Sequence, residues 1–309
     1  TYTADVSGVC SALFELGGMT VMHDASGCNS TYNTHDEPRW YDMDSLVYIS
    51  GLSELEAVMG DDEKLISDVS DAARQLHPRF IALAGTPIPM ITGCDLPAIA
   101  REVEGRTNIP SFAVPSNGIG TYVAGAGQAL RLYAERFITS RPEKRKNAVN
   151  ILGATPLDFS VNGCVQSMAR RLEEADFTLQ SVFAMSSSID AIDKAGAAEA
   201  NLVISSVGLP AAKYLQAQFG TPYVIGAPFG DFFSPYVFDA LRASIRTGEN
   251  TRVLGTCSPD APDTVIVGES VTAKSLAAAL AVGYGIGARV ICPVEAPGGV
   301  LGACDLQLE

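Results

Sequence analysis

The sequence predicts an α/β protein built from repeated doubly wound, Rossmann-like domains with parallel sheets. Short strand-like apolar runs alternate with longer helical segments along the whole chain, and glycine, proline or charged residues separate them. Strand followed by helix, repeated, is typical of right-handed βαβ units. At 309 residues and 47 % hydrophobic content, the chain is long enough to bury the cores of two or three ordinary domains.

The predicted elements follow each other in a regular order. Apolar runs bounded by turn residues predict strands over residues 20–23, 46–49, 80–84, 111–114, 148–152, 179–183, 201–204, 223–225, 264–267 and 289–293. Longer segments with helical spacing predict helices over residues 64–76, 98–104, 125–140, 164–175, 211–219, 235–246 and 272–284. In such sheets, ligands bind at the carboxyl ends of the strands.

A basic, proline-containing stretch from Arg141 to Lys146 separates the first two blocks of elements and is typical of an exposed connection. We therefore predict an N-terminal α/β domain over residues 1–143 and a second Rossmann-like domain over residues 144–250. Residues 251–309 contain two clear strands and one helix, which are too few for a doubly wound domain. We expect a partial third α/β domain there.

Composition excludes several classes of protein. The net charge of −14 argues against nucleic acid as a partner, because Lys and Arg provide most of the affinity for phosphate backbones. No apolar run reaches the roughly 20 residues of a membrane-spanning helix, and the first residues do not resemble a secretory signal. We expect a cytoplasmic protein. Its seven cysteines are an odd count, which argues against a disulfide framework in a reducing compartment.

Two cysteines near the start are candidates for chemistry. Cys28 follows a predicted buried strand that ends at His23, and it lies in a glycine-containing turn at the expected carboxyl edge of the sheet. Backbone N–H groups at such an edge favour a thiolate, which is the form that binds iron. Cys10 precedes an apolar helical stretch over residues 12–16, and we expect it at the end of an element. The alternative is that both are small buried thiols.

Several short motifs occur in a recognisable order. Cys10 lies in a Gly-x-Cys-x-Ala segment, Cys28 ends a His-x-x-x-Gly-Cys segment, and a Glu-x-x-Ala-Val-x-Gly segment begins at Glu54. Further on, Gly93 begins a Gly-x-Asp-Leu segment and Gly220 a Gly-Thr-Pro segment. Together they resemble the nitrogenase component 1 type oxidoreductases, whose relatives include dark-operative protochlorophyllide reductases and the reductive cyclase of nickel tetrapyrrole biosynthesis. The resemblance covers nearly the whole chain.

The resemblance implies an iron–sulfur cluster near a subunit interface, which accepts electrons from a separate ATP-dependent iron–sulfur reductase. Cys10 and Cys28 match the first two cluster cysteines of the family. The third position falls on Pro87, whereas Cys94 replaces an aspartate of the family's Gly-Asp-Asp motif, so Cys94 is either a cofactor contact or a neighbour of the site. A homodimer would supply the four thiolates of a [4Fe–4S] cluster. A heterodimer with a related subunit is the alternative.

The resemblance also limits the reaction. Nitrogenase places a cysteine ligand of its molybdenum cofactor where this sequence has Ser205 and Ser206, so we do not expect reduction of dinitrogen. We expect an oxidoreductase subunit whose substrate the sequence does not name. The alternatives are a scaffold for assembly of a metallocofactor or tetrapyrrole, without turnover, and a ligand-binding α/β protein that lacks the cluster.

Other candidate residues have simpler interpretations. We expect His23 to cap a buried strand, and His35 to handle substrate or protons or to be a solvated loop residue. The glycines between Gly118 and Gly125 lack the acidic partner of a dinucleotide site, which argues against NAD, and we expect them to allow close packing or a tight turn. We interpret the remaining cysteines as core or incidental residues: Cys164, Cys257, Cys292 and Cys304.

A group of acidic residues follows the second predicted strand: Glu54, Glu56, Asp61 and Asp62. A carboxylate metal site is one interpretation of this group. Acidic residues in the first turn of a helix are also what the helix dipole favours, and we prefer that explanation. Contact with the reductase is a possible second role for these side chains.

Overall fold

The structure is a computed structural model that describes residues 2–25, 27, 32, 36–255 and 264–308. Every pair of neighbouring strands in these residues is parallel, and helices alternate with the strands. This arrangement confirms the predicted α/β class with parallel sheets. The chain divides into two compact units, Thr1–Leu132 and Tyr133–Glu309. No helix of the described residues is long and apolar enough to cross a membrane.

The first unit is built on a four-stranded sheet. Its strands are β1 (Met19–His23), β2 (Leu46–Ile49), β3 (Ile81–Gly85) and β4 (Ser111–Val114), in the order β2-β1-β3-β4. The central strands β1 and β3 are buried along their whole length, which explains why both are mainly apolar. Because all four strands are parallel, their carboxyl ends share one edge of the sheet.

The helices of the first unit are α1 (Asp5–Leu13), α2 (Glu54–Met59), α3 (Asp62–Leu76), α4 (Pro87–Thr92), α5 (Leu96–Thr107) and α6 (Tyr122–Phe137), and α6 continues into the second unit. Capping residues mark the starts of two of these helices. Ser53 forms a capping box with Glu56 before α2, and the Asp95 side chain accepts the Ala98 N–H before α5. The apolar faces of α3 and α5 pack with β1 and β3 in one core.

The second unit contains a five-stranded sheet made of β5 (Ala148–Leu152), β6 (Thr178–Val182), β7 (Ala200–Val203), β8 (Tyr223–Ile225) and β9 (Thr251–Arg252). Their order is β6-β5-β7-β8-β9. Strands are thus added on one side of β5 and then on the other, and the point where the strand order reverses lies between β5 and β7. The accompanying helices are α7 (Pro156–Phe159), α8 (Cys164–Glu174), α9 (Ile189–Asp193), α10 (Leu209–Phe219) and α11 (Gly230–Thr247).

A three-stranded sheet completes the second unit. It consists of β10 (Thr264–Val267), β11 (Ala288–Cys292) and β12 (Leu306–Gln307), in chain order, with the helix α12 (Ser270–Tyr284). The Glu269 carboxylate begins α12 by accepting the N–H groups of Val271 and Thr272, and it also accepts the Ser206 hydroxyl at 2.6 Å. The four-stranded sheet lies within the predicted first block, whereas β9 of the five-stranded sheet lies just inside the predicted third block, at residues 251–252. The bounds of the three predicted domains stay a prediction.

A buried ion pair connects α12 to the end of the chain. Lys274 Nζ lies 2.7 Å from Asp305 Oδ2, and both side chains are almost fully buried. Asp305 also accepts the N–H groups of Val290 and Gly302. Burial opposes ionisation of Asp305, but Lys274 and these two N–H groups prevail and hold the pKa of Asp305 below its usual value.

We expect Lys274→Met to lower the free energy of unfolding by about 3–5 kcal/mol, because it leaves the Asp305 carboxylate buried without its cation. Urea unfolding measures this, with the exposed Lys213→Met as the control, for which a change within about 0.5 kcal/mol is expected. Since the folded pKa of Asp305 is depressed, its stabilising contribution is complete above about pH 4 and is lost as the pH falls through the folded pKa. Equal stability of the two variants would contradict this role.

Candidate functional site

The helix that carries Cys10 is buried in the first unit. All nine residues of α1 are buried, and Cys10 lies in the interior of the helix with none of its surface exposed. This corrects the expectation that Cys10 lies at the end of an element, because the helix begins earlier, at Asp5. Glycine and small polar residues in the first half of α1 weakened the helical pattern of the sequence.

Close backbone contacts hold α1 against the start of α6. A Cβ atom at Gly8 would lie 2.2 Å from the Tyr122 carbonyl oxygen, and one at Gly125 would lie 1.9 Å from the Asp5 carbonyl oxygen. The Asp5 carboxylate accepts the N–H groups of Asn117 and Gly118 at 2.9 and 2.8 Å. The glycines of this segment therefore serve close packing, as predicted.

A buried ionic network lies beside the C-terminal half of α1. The Arg39 guanidinium donates to Glu15 Oε1 at 2.7 Å and to Glu37 Oε1 at 2.6 Å, and it stacks over the Phe14 ring. Glu37 also accepts the Ser11 hydroxyl at 2.8 Å. The network fixes Glu37 and Arg39 against the helix that carries Cys10.

The surroundings of Cys10 disfavour a free thiolate. Burial, followed by the negative charge of Glu37, raises the pKa of the Cys10 thiol far above its usual value. Within the described part of the chain, Cys10 Sγ has no hydrogen-bond partner. Because a bound metal ion deprotonates a coordinating thiol outright, iron could still be held here. A buried thiol without a hydrogen bond fits a ligand of a water-excluded cluster.

The carboxyl end of β1 is tied to both neighbouring strands. His23 is the last residue of β1 and is buried, as predicted for a residue that caps the strand, and its Nδ1 lies 2.8 Å from the Ser50 hydroxyl. The Thr86 hydroxyl donates to the His23 carbonyl oxygen at 2.7 Å. Burial lowers the pKa of His23 more than the nearby carboxylates, first of all Asp62, raise it. Burial therefore favours the neutral form of His23.

Cys94 lies in the turn between α4 and α5, where it borders an acidic cavity. This cavity of about 100 Å³ is lined by His23, Glu56, Asp61, Asp62 and Cys94, among others. Cys94 Sγ donates to Asp62 Oδ1 at 3.7 Å. Burial, and then the charge and hydrogen bond of Asp62, raise the pKa of Cys94 to about 12. A neutral thiol rather than a thiolate therefore lies at this position near pH 7.

The described residues do not assemble a metal site by themselves. Cys28, His35 and Cys257 lie outside the residues that the structure describes. Within the described ranges, no group of three or more His, Cys, Asp and Glu side chains is placed to hold a metal ion. Cys10 is in the interior of α1, whereas Cys94 borders the acidic cavity. The assignment of Cys10, Cys28 and Cys94 to a cofactor site therefore stays a prediction.

The remaining cysteines lie in the second unit. Cys164 packs against the core of the five-stranded sheet, and Cys292 is buried at the end of β11, where its thiol donates to the Val294 carbonyl oxygen at 3.2 Å. These positions agree with the prediction that Cys164 and Cys292 are core or incidental residues. Cys304 is disulfide-bonded, where the sequence predicted a reduced thiol.

The acidic residues after β2 mark the starts of two helices. Glu54 and Glu56 lie in the first turn of α2, Asp61 is the N-cap of α3, and Asp62 lies in its first turn. The predicted explanation from the helix dipole is confirmed by these positions. The group is nevertheless close to an exposed surface that the sequence did not predict.

Large apolar side chains on α2 and α4 face solvent. Leu55, Val58 and Met59 on α2 are 72 %, 77 % and 73 % exposed, and Ile91 on α4 is 78 % exposed. We call these four residues the α2–α4 surface; the two helices pack beside each other. No residue of α2 is buried, so its apolar side chains do not contribute to the core. Contiguous exposed apolar residues are typical of interaction sites.

The fold and its glycine-packed first helix define a parallel-sheet α/β protein with a candidate site at the carboxyl edge of its first sheet. A profile of the nitrogenase component 1 type oxidoreductase family matches residues 7–244. The chain belongs to this family. The resemblance stated from the sequence motifs is thereby confirmed.

Individual relatives are divergent. The chain is 28 % identical over 196 residues to the nitrogenase iron-molybdenum cofactor biosynthesis protein NifE of Methanosarcina barkeri, a match that covers 59 % of this chain and 42 % of the relative. It is 26 % identical over 181 residues to a component of the light-independent protochlorophyllide reductase of Nostoc punctiforme, a match that covers 55 % of this chain and 36 % of that protein. The chain thus spans less than half the length of these curated relatives.

A solved structure supports the fold. The structure titled "Nitrogenase Cp1 at pH 5" superposes with a TM-score of 0.70 at 17 % identity, and the match covers 98 % of this chain and 66 % of that one. At this identity, the likeness shows the fold alone.

The Cys94 environment gives a direct prediction. Asp62→Asn removes the negative charge that helps to raise the pKa of Cys94, so more thiolate is present at any pH below about 12. We expect alkylation of Cys94 by N-ethylmaleimide at pH 8 to accelerate roughly three- to tenfold, which corresponds to a fall of the pKa by about half a unit to one unit. Peptide mass spectrometry measures the rate at Cys94 alone.

Asp68→Asn is the matched control, because Asp68 is exposed and pairs with Lys64 rather than with Cys94. Its alkylation rate at Cys94 is expected to equal that of the unmodified chain. Equal rates in all three proteins would show that Asp62 does not control this thiol.

Proposed function

We propose that the chain is a subunit of a nitrogenase-like oxidoreductase that accepts electrons from an ATP-dependent iron–sulfur reductase and reduces a substrate other than dinitrogen. Membership of the family supports the general class. The observation that carries the specific proposal is the α2–α4 surface. It follows strands β2 and β3 at the same sheet edge where β1 leads into the segment containing Cys28.

The α2–α4 surface has the composition of a docking site. The four residues that define it are apolar, and Glu54, Glu56 and Asp61 lie on α2 or shortly after it. Apolar residues accompanied by polar residues are the usual composition of protein interfaces. A partner with an apolar patch and Lys or Arg at its rim would complement this surface, and the reductase is the partner that we assign to it.

Cys10 and Cys28 are the residues that we propose as ligands of an iron–sulfur cluster. Two copies of the chain, or one copy with a related subunit, would supply four thiolates, the usual set for a [4Fe–4S] cluster. Such a cluster supplies one-electron transfer when bound. The chain itself holds Cys10 in position through α1, excludes water from its thiol, and places the Glu37 carboxylate nearby. Cys94 is proposed as a neighbour of this site.

Two serine residues of the second unit argue against dinitrogen as the substrate. At the position where the resemblance places the cofactor cysteine of nitrogenase, the Ser205 hydroxyl donates to Asp158 Oδ2 at 2.7 Å and the Ser206 hydroxyl donates to Glu269. Both hydroxyls are thus engaged within the fold. Hydroxyl oxygens are harder ligands than thiolates, so the site does not favour a cluster of the nitrogenase kind.

A second candidate function is a scaffold for cofactor assembly without turnover. Matches to NifE proteins of Methanosarcina barkeri, Klebsiella pneumoniae and Clostridium pasteurianum favour it. Both functions use the same cluster residues and the same docking surface. Substrate reduction that requires both ATP and the reductase would favour the oxidoreductase, whereas transfer of a bound metallocofactor to another protein would favour the scaffold.

The cluster assignment predicts an iron content. Protein purified without oxygen is expected to contain about four iron atoms per pair of chains, and Cys28→Ala and Cys10→Ala should each reduce the iron to background, because each removes two of four ligands in a homodimer. Chemical analysis of iron and sulfide measures this. Cys164→Ala, on α8, is the control and should keep the iron. Equal iron in Cys28→Ala and in the control would exclude the cluster assignment.

If the α2–α4 surface binds the reductase, a substitution there should weaken reductase binding without changing the iron content. Ile91→Asp places a charge in the α2–α4 surface, and we expect about tenfold weaker binding of the reductase, or about 1.4 kcal/mol. Because Ile91 is exposed, the melting temperature and the iron content should not change. Titration of reductase in an electron-transfer assay measures the effect, with the exposed Val161→Asp in the second unit as the control. Equal affinities of the two variants would refute the docking assignment.

A further inference from the structure

A second cavity in the first unit has no role in the proposed function. It has a volume of about 490 Å³ and lies where β3 and β4 end, at the edge of a parallel sheet where ligands bind. Met90 of α4, Cys94 and Leu132 of α6 are among the residues that line it. Its volume falls within the range of roughly 300–1,000 Å³ that small-molecule sites occupy.

The walls of this cavity offer few polar groups. Pro89, Pro97 and Pro115 have no backbone N–H to donate. The Ser116 hydroxyl already donates to the Gly85 carbonyl oxygen at 3.0 Å, and the Cys94 thiol donates to Asp62 on the side of the acidic cavity. No Lys, Arg or His side chain lines the cavity among the described residues, so an anion would find no counter-charge there.

Apolar groups dominate the remaining lining, and one of them is adaptable. Leu96, Val114 and Leu132 provide aliphatic surface. Met90 is 46 % exposed, and its flexible thioether lines the cavity from a solvent-accessible position. Thioether and thiol sulfur atoms are polarisable and make favourable contacts with aromatic rings. The lining therefore complements an uncharged ligand with aromatic or aliphatic surface.

We propose that the first unit binds an uncharged, mainly apolar small molecule in this cavity between Met90, Cys94, Pro115 and Leu132. Binding transfers apolar surface of the ligand from water to the cavity without leaving a charged or hydrogen-bonding group unpaired. Cys94 contacts this ligand as an uncharged sulfur atom in the wall. The cavity lining includes none of the four residues of the α2–α4 surface and does not include Cys10.

The probe for this site is N-phenyl-1-naphthylamine, an uncharged fluorophore that becomes brighter in apolar surroundings. Titration of the full chain is expected to show saturable binding of one probe per chain. The anionic relative 1-anilinonaphthalene-8-sulfonate should bind at least about tenfold more weakly, because the cavity offers no counter-charge. Bound neutral probe should also slow alkylation of Cys94 by N-ethylmaleimide.

Two variants locate the site. Met90→Trp narrows the cavity from its exposed side and Ala113→Leu fills it from β4, and each is expected to weaken probe binding about tenfold or more. Met43→Trp is the matched control, because Met43 is similarly exposed and does not line the cavity. Its affinity for the probe should be unchanged. Met90→Trp keeps the test valid even if Ala113→Leu fails to fold.

The test does not depend on iron or on a reductase. Cys28→Ala should bind the neutral probe as the unmodified chain does, so failure of the cluster proposal leaves this expectation unchanged. Non-saturable binding, equal affinity for the two probes, or equal affinity of Met90→Trp and Met43→Trp would overturn the proposed site.

Discussion

Burial of α1 is the constraint on which the account of the first unit depends. The helix is fixed by two kinds of contact, close backbone packing at Gly8 and Gly125 and the ionic network around Arg39. Both kinds of contact restrict the position of α1. A Cβ atom at either glycine would overlap backbone atoms, and buried charges require their partners. The Cys10 side chain is fully buried, so the reactivity of its thiol depends on the residues and ligands in contact with it rather than on solvent.

The fold was predictable from sequence because parallel strands buried on both faces are mainly apolar runs, as in β1, β3 and β5. Short elements such as α4, which contains two prolines, gave no periodic signal over so few residues. The glycines near α6 were correctly assigned to packing, but their partner, the start of α1, was not predicted. Contacts such as that of Glu37 with Ser11 join distant residues and have no local pattern.

The candidate site was only partly predictable for a related reason. Motifs identified Cys10, Cys28 and Cys94 by their order along the chain, but order does not report burial or the nearest charge. The structure shows that Cys10 lies near Glu37 and that Cys94 donates to Asp62, two surroundings that both disfavour thiolates. The exposure of the apolar side chains of α2 was also not predictable, because the sequence of a short helix does not show whether an apolar residue faces solvent or a core.

We propose that Cys10 becomes an iron ligand when two subunits meet at the carboxyl edge of the first sheet. Anomalous diffraction at the iron absorption edge, from crystals of the assembled protein grown without oxygen, tests this claim most directly. We expect an iron peak within bonding distance of Cys10 Sγ, shared with thiolates of the neighbouring subunit. A Cys10 thiol that remains packed inside α1, with no iron peak beside it in an iron-containing preparation, would contradict the account.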